Sequence, residues 1–189
     1  MQAAADDFPR LATTRLTLRA FEAADGGRVR RLAGDFAVAD TTLNVPHPYM
    51  PGMAEEWIAT HRRGFAAGEL VVLAIERTDD AELLGAISLQ VERAFARANL
   101  GYWIGQPFWN SGYCTEAAAA VVRYAFTDIA LHRVFASHLQ RNPASGRVMR
   151  KLGMVQEGTL REHTIKWDRR ENLVVYGLLR HEWLQRQST

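Results

Sequence analysis

From Ala86 to Glu92 the side chains alternate, with Ile87, Leu89 and Val91 apolar against Ser88, Gln90 and Glu92 polar. That two-residue period predicts a strand with one buried face. The same reading places a strand over 15–20, around Leu16 and Leu18, and another over 70–77, an apolar run short enough for the middle of a sheet. Further strands are predicted over 99–105, 133–139, 154–161 and 173–179. Helical spacing marks the rest. Residues 22–33 set Val29 and Leu32 inward and Arg28, Arg30 and Arg31 outward, and 53–67 bury Trp57 and Phe65. Over 113–130, Ala117, Val121, Tyr124 and Ala125 fall at i, i+4, i+7 and i+8. Over 142–153, Asn142 suits an N-cap, Pro143 the first helical position and Gly153 the stop. Val148, Met149 and Leu152 share the inward face with Ser145. Pro46, Pro48 and Pro51 resist both periods, so 34–52 is expected as a shaped loop. Residues 1–13 are expected as a loose lead-in.

A chain of 189 residues, 48% of them hydrophobic, has enough apolar side chains for one domain with its own core, so a single domain over 1–189 is expected. Twenty-three basic against 21 acidic residues leave a net charge of +2, too balanced for nucleic acid as a direct partner. No run of 18 apolar residues predicts a membrane span, and the start, Met-Gln-Ala-Ala-Ala-Asp-Asp, has no secretory pattern. A single cysteine, Cys114, excludes an internal disulfide and fits a reducing compartment, so a cytoplasmic location is expected. The six histidines show no metal-ligand spacing, and no metal is expected.

The candidate chemistry begins where the 99–105 strand gives way to the 113–130 helix. Asn110, Ser111 and Gly112 lead into a helix whose first amides have no helical partner, which makes an anion site built from backbone. Gly112 leaves room for a phosphate, and Asn110 tolerates a left-handed conformation. Thirty residues on comes Asn142-Pro-Ala-Ser145, in a helix closing in Lys151-Leu-Gly153. With Tyr102-Trp103-Ile104-Gly105, Gly112-Tyr113-Cys114-Thr115-Glu116-Ala117, the Leu-Asn-Val-Pro-His-Pro-Tyr run at 43–49 and the closing Leu179-Arg180-His181-Glu182-Trp183, the chain resembles the GNAT superfamily of acyl-CoA-dependent N-acetyltransferases. Within it the likeness is to the branch containing the ribosomal-protein N-terminal acetyltransferases, and it runs from about Thr14 to Gln185.

The resemblance implies an α/β (α+β) GNAT fold. Its mixed central sheet has about seven strands, splayed between the fourth and fifth, and four main helices. It implies transfer of an acetyl group from acetyl-CoA directly to a primary amine, on a protein or peptide N-terminus or on a small molecule. A non-catalytic acyl-CoA sensor of the same fold is the alternative. Monomer and homodimer are both open. Acetyl-CoA is expected on Trp103, Ile104, Gly105, Trp109, Asn110, Ser111, Gly112, Tyr113, Cys114 and Thr115, and on Asn142 and Ser145. Asn110 stands where the family's usual residue is glycine. Cys114 matches a small residue of the family and is expected to be structural, although a thiol at a helix start is a possible nucleophile. Ser145 matches the proposed proton donor to the leaving thiolate. Glu162 is the candidate base, with His163 and His138 beside it, since Thr164 falls where some relatives carry a carboxylate. Asn44, His47 and Tyr49 are expected to wall the acceptor site.

Overall fold

The computed structural model describes residues 8–187. Among them, eight strands form one sheet in the order β1-β2-β3-β4-β5-β6-β8-β7. The strands are β1 Leu11–Ala12, β2 Leu16–Arg19, β3 Leu70–Arg77, β4 Leu83–Glu92, β5 Arg97–Ile104, β6 Arg133–Leu139, β7 Val155–Lys166 and β8 Arg169–Leu179. Six helices accompany them: α1 Gly26–Ala33, α2 Phe36–Thr41, α3 Met53–Ala66, α4 Tyr113–Thr127, α5 Pro143–Lys151 and α6 Arg180–Gln187. This is the expected order of elements, with one strand and two helices more than the sequence analysis gave.

The extra elements have local causes. Leu11 and Ala12 pair with Leu18 and Thr17, so the lead-in contributes a short edge strand; residues 1–7 of it lie outside the described residues. The stretch 34–52 is not all loop. Its prolines begin only at Pro46, and before them the Asp35 side chain caps α2 by accepting from the Ala37 N–H, while Val38 and Ala39 are buried. β7 continues to Lys166 and β8 begins at Arg169, so the last two strands, longer than the expected 154–161 and 173–179, are joined by a two-residue turn, Trp167–Asp168.

Strands β2 to β5 are antiparallel neighbours, each paired along most of its length. β5 and β6 are parallel, joined through α4, and pair only at Arg97–Arg133, Ala98–Val134 and Asn99–Phe135. Beyond these three pairs they diverge. The remainder of β5 follows β4 out to Ile104, and the remainder of β6 follows β8 out to Leu139. The split therefore falls between the fifth and sixth strands, the same place in the sheet as expected once β1 is counted.

Two apolar clusters cover the faces. On one, α4 and α5 lay Ala117, Val121, Phe126 and Met149 over Leu100, Val134, Ala136 and Tyr176. On the other, α1 and α3 bring Val29, Ala33 and Ala54 onto Ala74 and Leu83, with Trp57 and Trp103 packed beside them. No helix among the described residues is long and apolar enough to cross a membrane.

His61 of α3 is 4% exposed, edge-on to Trp57 at 4.4 Å and to Phe21 at 5.5 Å. Neither ring nitrogen has a hydrogen-bond partner among the described residues. Burial disfavours the imidazolium and pushes the pKa down to about 4. The unfolded chain, with its histidine near 6.5, takes up that proton first, so stability falls as pH drops below about 6.5 and levels off below about 4. Between pH 7 and pH 4.5 the wild type should lose roughly 2–3 kcal/mol more than His61→Leu. Urea midpoints of both proteins at the two pH values measure this; parallel losses would mean that the ring is charged in the native state.

Candidate active site

The split is framed by the end of β5, the start of α4 and the start of α5. A single 3-10 turn over Gln106–Phe108 follows β5. The Trp109 indole then reaches back, its Nε1–H donating to the Ile104 carbonyl at 2.7 Å. Asn110 has φ +62°, the left-handed path its side chain was expected to tolerate, and Gly112 takes φ +82°. Glu116 N–H donates to Gly112 O at 3.1 Å, which leaves the amides of Tyr113, Cys114 and Thr115 in the partnerless first turn. The helix dipole adds partial positive charge at the same place.

Arg15, from the turn ahead of β2, fastens this loop. Its Nη1 donates to Ser111 O at 3.0 Å, its Nε to Glu116 Oε2 at 2.7 Å, and its guanidinium lies 4.5 Å from the centre of the Tyr113 ring. Burial works against the Glu116 charge, but bonds from Thr13 and Arg15 outweigh it and hold that carboxyl below its usual range. Arg15 is about a hundred residues from the loop it holds, and nothing in its local sequence marked it.

Across the split, Tyr102 of β5 meets Ser145 of α5. The phenol oxygen is 3.0 Å from Ser145 Oγ and donates to Ser145 O at 3.1 Å. Burial, and next the nearby Cys114, raise the Tyr102 pKa well above the ordinary phenol range, so the group stays neutral. Burial also pushes the Cys114 thiol up to about 12. A thiol so rarely ionised fits the structural role expected of it. Asn142 caps α5, its Oδ1 accepting from Ser145 N at 3.4 Å, while its Nδ2 donates to Thr41 O at 3.0 Å. Both ends of that amide are thus engaged inside the protein.

These elements enclose a cavity of about 1030 Å3 that passes through the split. It is lined by Trp103, Ile104, Trp109, Asn110, Gly112, Tyr113, Cys114, Thr115, Asn142 and Ser145 of the expected cofactor residues, and by Asn44 and Tyr49 of the expected acceptor residues. Three candidates stand apart from the lining. Gly105 is buried against Leu32. Ser111 is exposed and offers its carbonyl to Arg15. His47 places Nδ1 3.1 Å from Gly34 O and its ring against Phe36.

Glu162 is a larger displacement. β7 shifts register between Leu160 and Thr164, and within that irregularity Glu162 takes φ +48° while its N–H donates to Asn172 Oδ1. Its side chain is 69% exposed, 3.9 Å from Arg170, in a shallow recess apart from the main cavity. The bulge turns the carboxylate away from the split, so it is not placed to act there. His163 is exposed as well. Of the three base candidates, His138 alone lines the cavity, buried on β6 with Nδ1 2.8 Å from Leu139 O. Gly146 of α5 makes room for it, since a Cβ there would meet His138 Nε2 at 2.6 Å.

Residues 15–155 match the family described as "Acetyltransferase (GNAT) domain". The chain is 37% identical over 90 residues to the uncharacterized N-acetyltransferase YoaA of Bacillus subtilis (strain 168), covering 47% of this chain and 51% of that protein. It is 28% identical over 107 residues to the [ribosomal protein uS5]-alanine N-acetyltransferase of Escherichia coli (strain K12), covering 56% of this chain and 55% of that protein. The chain thus spans about half the length of these curated relatives. A solved structure of RimL, a ribosomal L7/L12 α-N-protein acetyltransferase in complex with coenzyme A, shares the fold at a TM-score of 0.83 and 18% identity, over 90% of this chain and 98% of that one.

The thiol makes a test that needs no substrate. With its pKa near 12, native Cys114 should react with iodoacetamide at pH 8 at least about 100-fold more slowly than in the urea-unfolded chain. Equal rates would show an ionised, accessible thiol at the helix start.

Proposed function

The chain belongs to the GNAT family of N-acetyltransferases, and on that premise we propose that it moves an acetyl group from acetyl-CoA directly to a primary amine. The acceptor is the α-amine of a protein or peptide, or the amine of a small molecule. The chain acts as one domain, in the cytoplasm, as a monomer or a homodimer. The observation that carries the proposal is the Tyr102–Ser145 hydrogen bond across the split, next to the open amides of α4.

The residues present suit acetyl-CoA. The amides of Tyr113, Cys114 and Thr115 would hold its pyrophosphate, in a loop that Arg15 keeps in shape. The free edge of β5 from Tyr102 to Ile104 would hold the pantetheine arm through backbone groups. When bound, the thioester supplies the acetyl group and a thiolate leaving group.

The chain's own contributions follow from where protons must go. Ser145 donates one to the departing sulfur, with its hydroxyl aimed by Tyr102. Tyr102 orients rather than ionises, because a buried phenolate is costly. His138 receives the amine's proton: with Nδ1–H donating to Leu139 O, Nε2 carries the free lone pair. Asn142 sets the angle of α5 and thereby the place of Ser145. A non-catalytic acyl-CoA sensor is the second reading, and the outward turn of Glu162 is the observation in its favour.

A thiol-release assay over a panel of amines separates the two, since a sensor binds acetyl-CoA and releases no thiol. Two substitutions test the assignments. Gly112→Val forces a branched side chain onto φ +82° and into the anion site, and should abolish the rise in melting temperature that millimolar acetyl-CoA gives the wild type. An unchanged rise in a folded variant would put the phosphates elsewhere. Ser145→Ala should still bind acetyl-CoA and turn over roughly 10²-fold more slowly. A full rate with a lowered unfolding midpoint would leave Ser145 a purely structural residue.

A further inference from the structure

Side chains alternate along β5, so the cavity presents different chemistry on the two faces of the sheet. Tyr102 and Ile104 lie with α4 and α5, whereas Trp103 lies with α1 and α3. On that second face the lining includes Leu43, Val45, Tyr49, Trp57 and Trp103. Four of these, Val45, Tyr49, Trp57 and Trp103, also pack against the cluster of Val29, Ala33 and Ala54 beneath. Of the lining residues from Val29 to Asn99, Glu56 alone carries a formal charge, and it is exposed on α3. The cationic lining residues Arg147 and Lys151 are on α5 instead.

The outer wall of this face is held from outside. Lys166, at the end of β7, is 5% exposed and donates through Nζ to Val45 O at 2.8 Å and Leu43 O at 3.3 Å. Its ammonium also lies 4.7 Å from the centre of the Trp167 ring. Upstream, Arg141 donates to Asp40 Oδ2 and to Asp40 O, and Asn142 donates to Thr41 O. The segment 40–45 is therefore pinned at Asp40, Thr41, Leu43 and Val45 by residues from the far half of the chain. A buried ammonium is expensive to desolvate, and here it is spent on two carbonyls of a cavity wall.

Taking the acceptor site to lie on the α1/α3 face, beside Asn44 and Tyr49 as the resemblance implies, we infer that it selects a primary amine carried on one uncharged, apolar or aromatic body, and that Lys166 is the positioning residue that sets its outer wall. A polycation would bring further charges onto Leu43, Val45, Trp57 and Trp103, which offer them no partner. This deepens the acetyltransferase reading and rests on it.

Steady-state kinetics with 2-phenylethylamine and spermidine tests the inference, with KM for acetyl-CoA measured alongside. Phenylethylamine should exceed spermidine in kcat/KM by about tenfold or more. Lys166→Met should raise KM for phenylethylamine about tenfold with KM for acetyl-CoA unchanged, and Lys166→Arg, which keeps the donors, should restore most of the difference. Leu43→Glu, at a position 39% exposed and so tolerant of charge, should shift the preference toward spermidine without lowering the melting temperature. Spermidine preferred by the wild type would overturn the inference, as would an unchanged amine KM in Lys166→Met or equal changes in both KM values. Acetyl-CoA binding by thermal shift with no turnover of any amine would instead overturn the acetyltransferase reading itself.

Discussion

Three residue pairs, Arg97–Asn99 against Arg133–Phe135, hold β5 to β6, and from there the backbones must part because each strand stays loyal to its antiparallel neighbour. β4 carries β5 out to Ile104, and β8 carries β6 out to Leu139. Parallel ladders are somewhat weaker per residue than antiparallel ones, so the parallel seam is where a twisted sheet opens most easily. The opening leaves peptide groups of both strands without a ladder partner inside a protein of otherwise well-paired strands. Such groups need partners. On the proposed function, a ligand that is itself a chain of amides would satisfy them, with the helix starts on either side offering charge at one end and a hydroxyl at the other.

The parts of this arrangement written over short distances were legible in the sequence. The strands at 70–77 and 133–139 were bounded correctly because the composition and length of an apolar run are local properties. Both site helices were legible from their first residues: Asn110 from its tolerance of positive φ, Gly112 from its missing side chain, Asn142 and Pro143 from capping chemistry. What escaped was decided by partners far along the chain. Arg15 clamps a loop near residue 111, Lys166 holds the carbonyls of 43 and 45, and Tyr102 meets a serine 43 positions away. Each of these side chains looks ordinary beside its sequence neighbours. α2 escaped for a different reason, since the prolines that argued against a helix begin only after it ends.

The site is thereby a meeting of segments rather than a motif. Asn142 ties the start of α5 to Thr41, and Arg141 ties the preceding residue to Asp40, so the helix bearing Ser145 and the wall bearing Leu43 and Val45 share one hydrogen-bonded strap.

The bulge that displaces Glu162 also shapes an edge of the sheet. β7 is the last strand of the sheet, 12 residues long, with one side of its ladder unpaired. A flat, apolar edge of that length invites strand addition from another chain and, through it, aggregation. Here the strand twice shifts register, and its exposed residues include Glu157, Arg161, Glu162 and His163. Bulges bend the edge away from a straight template, and charges make a second strand alongside it unfavourable. The irregularity that turns Glu162 outward thus works, with those charges, against strand addition along the rim of the sheet.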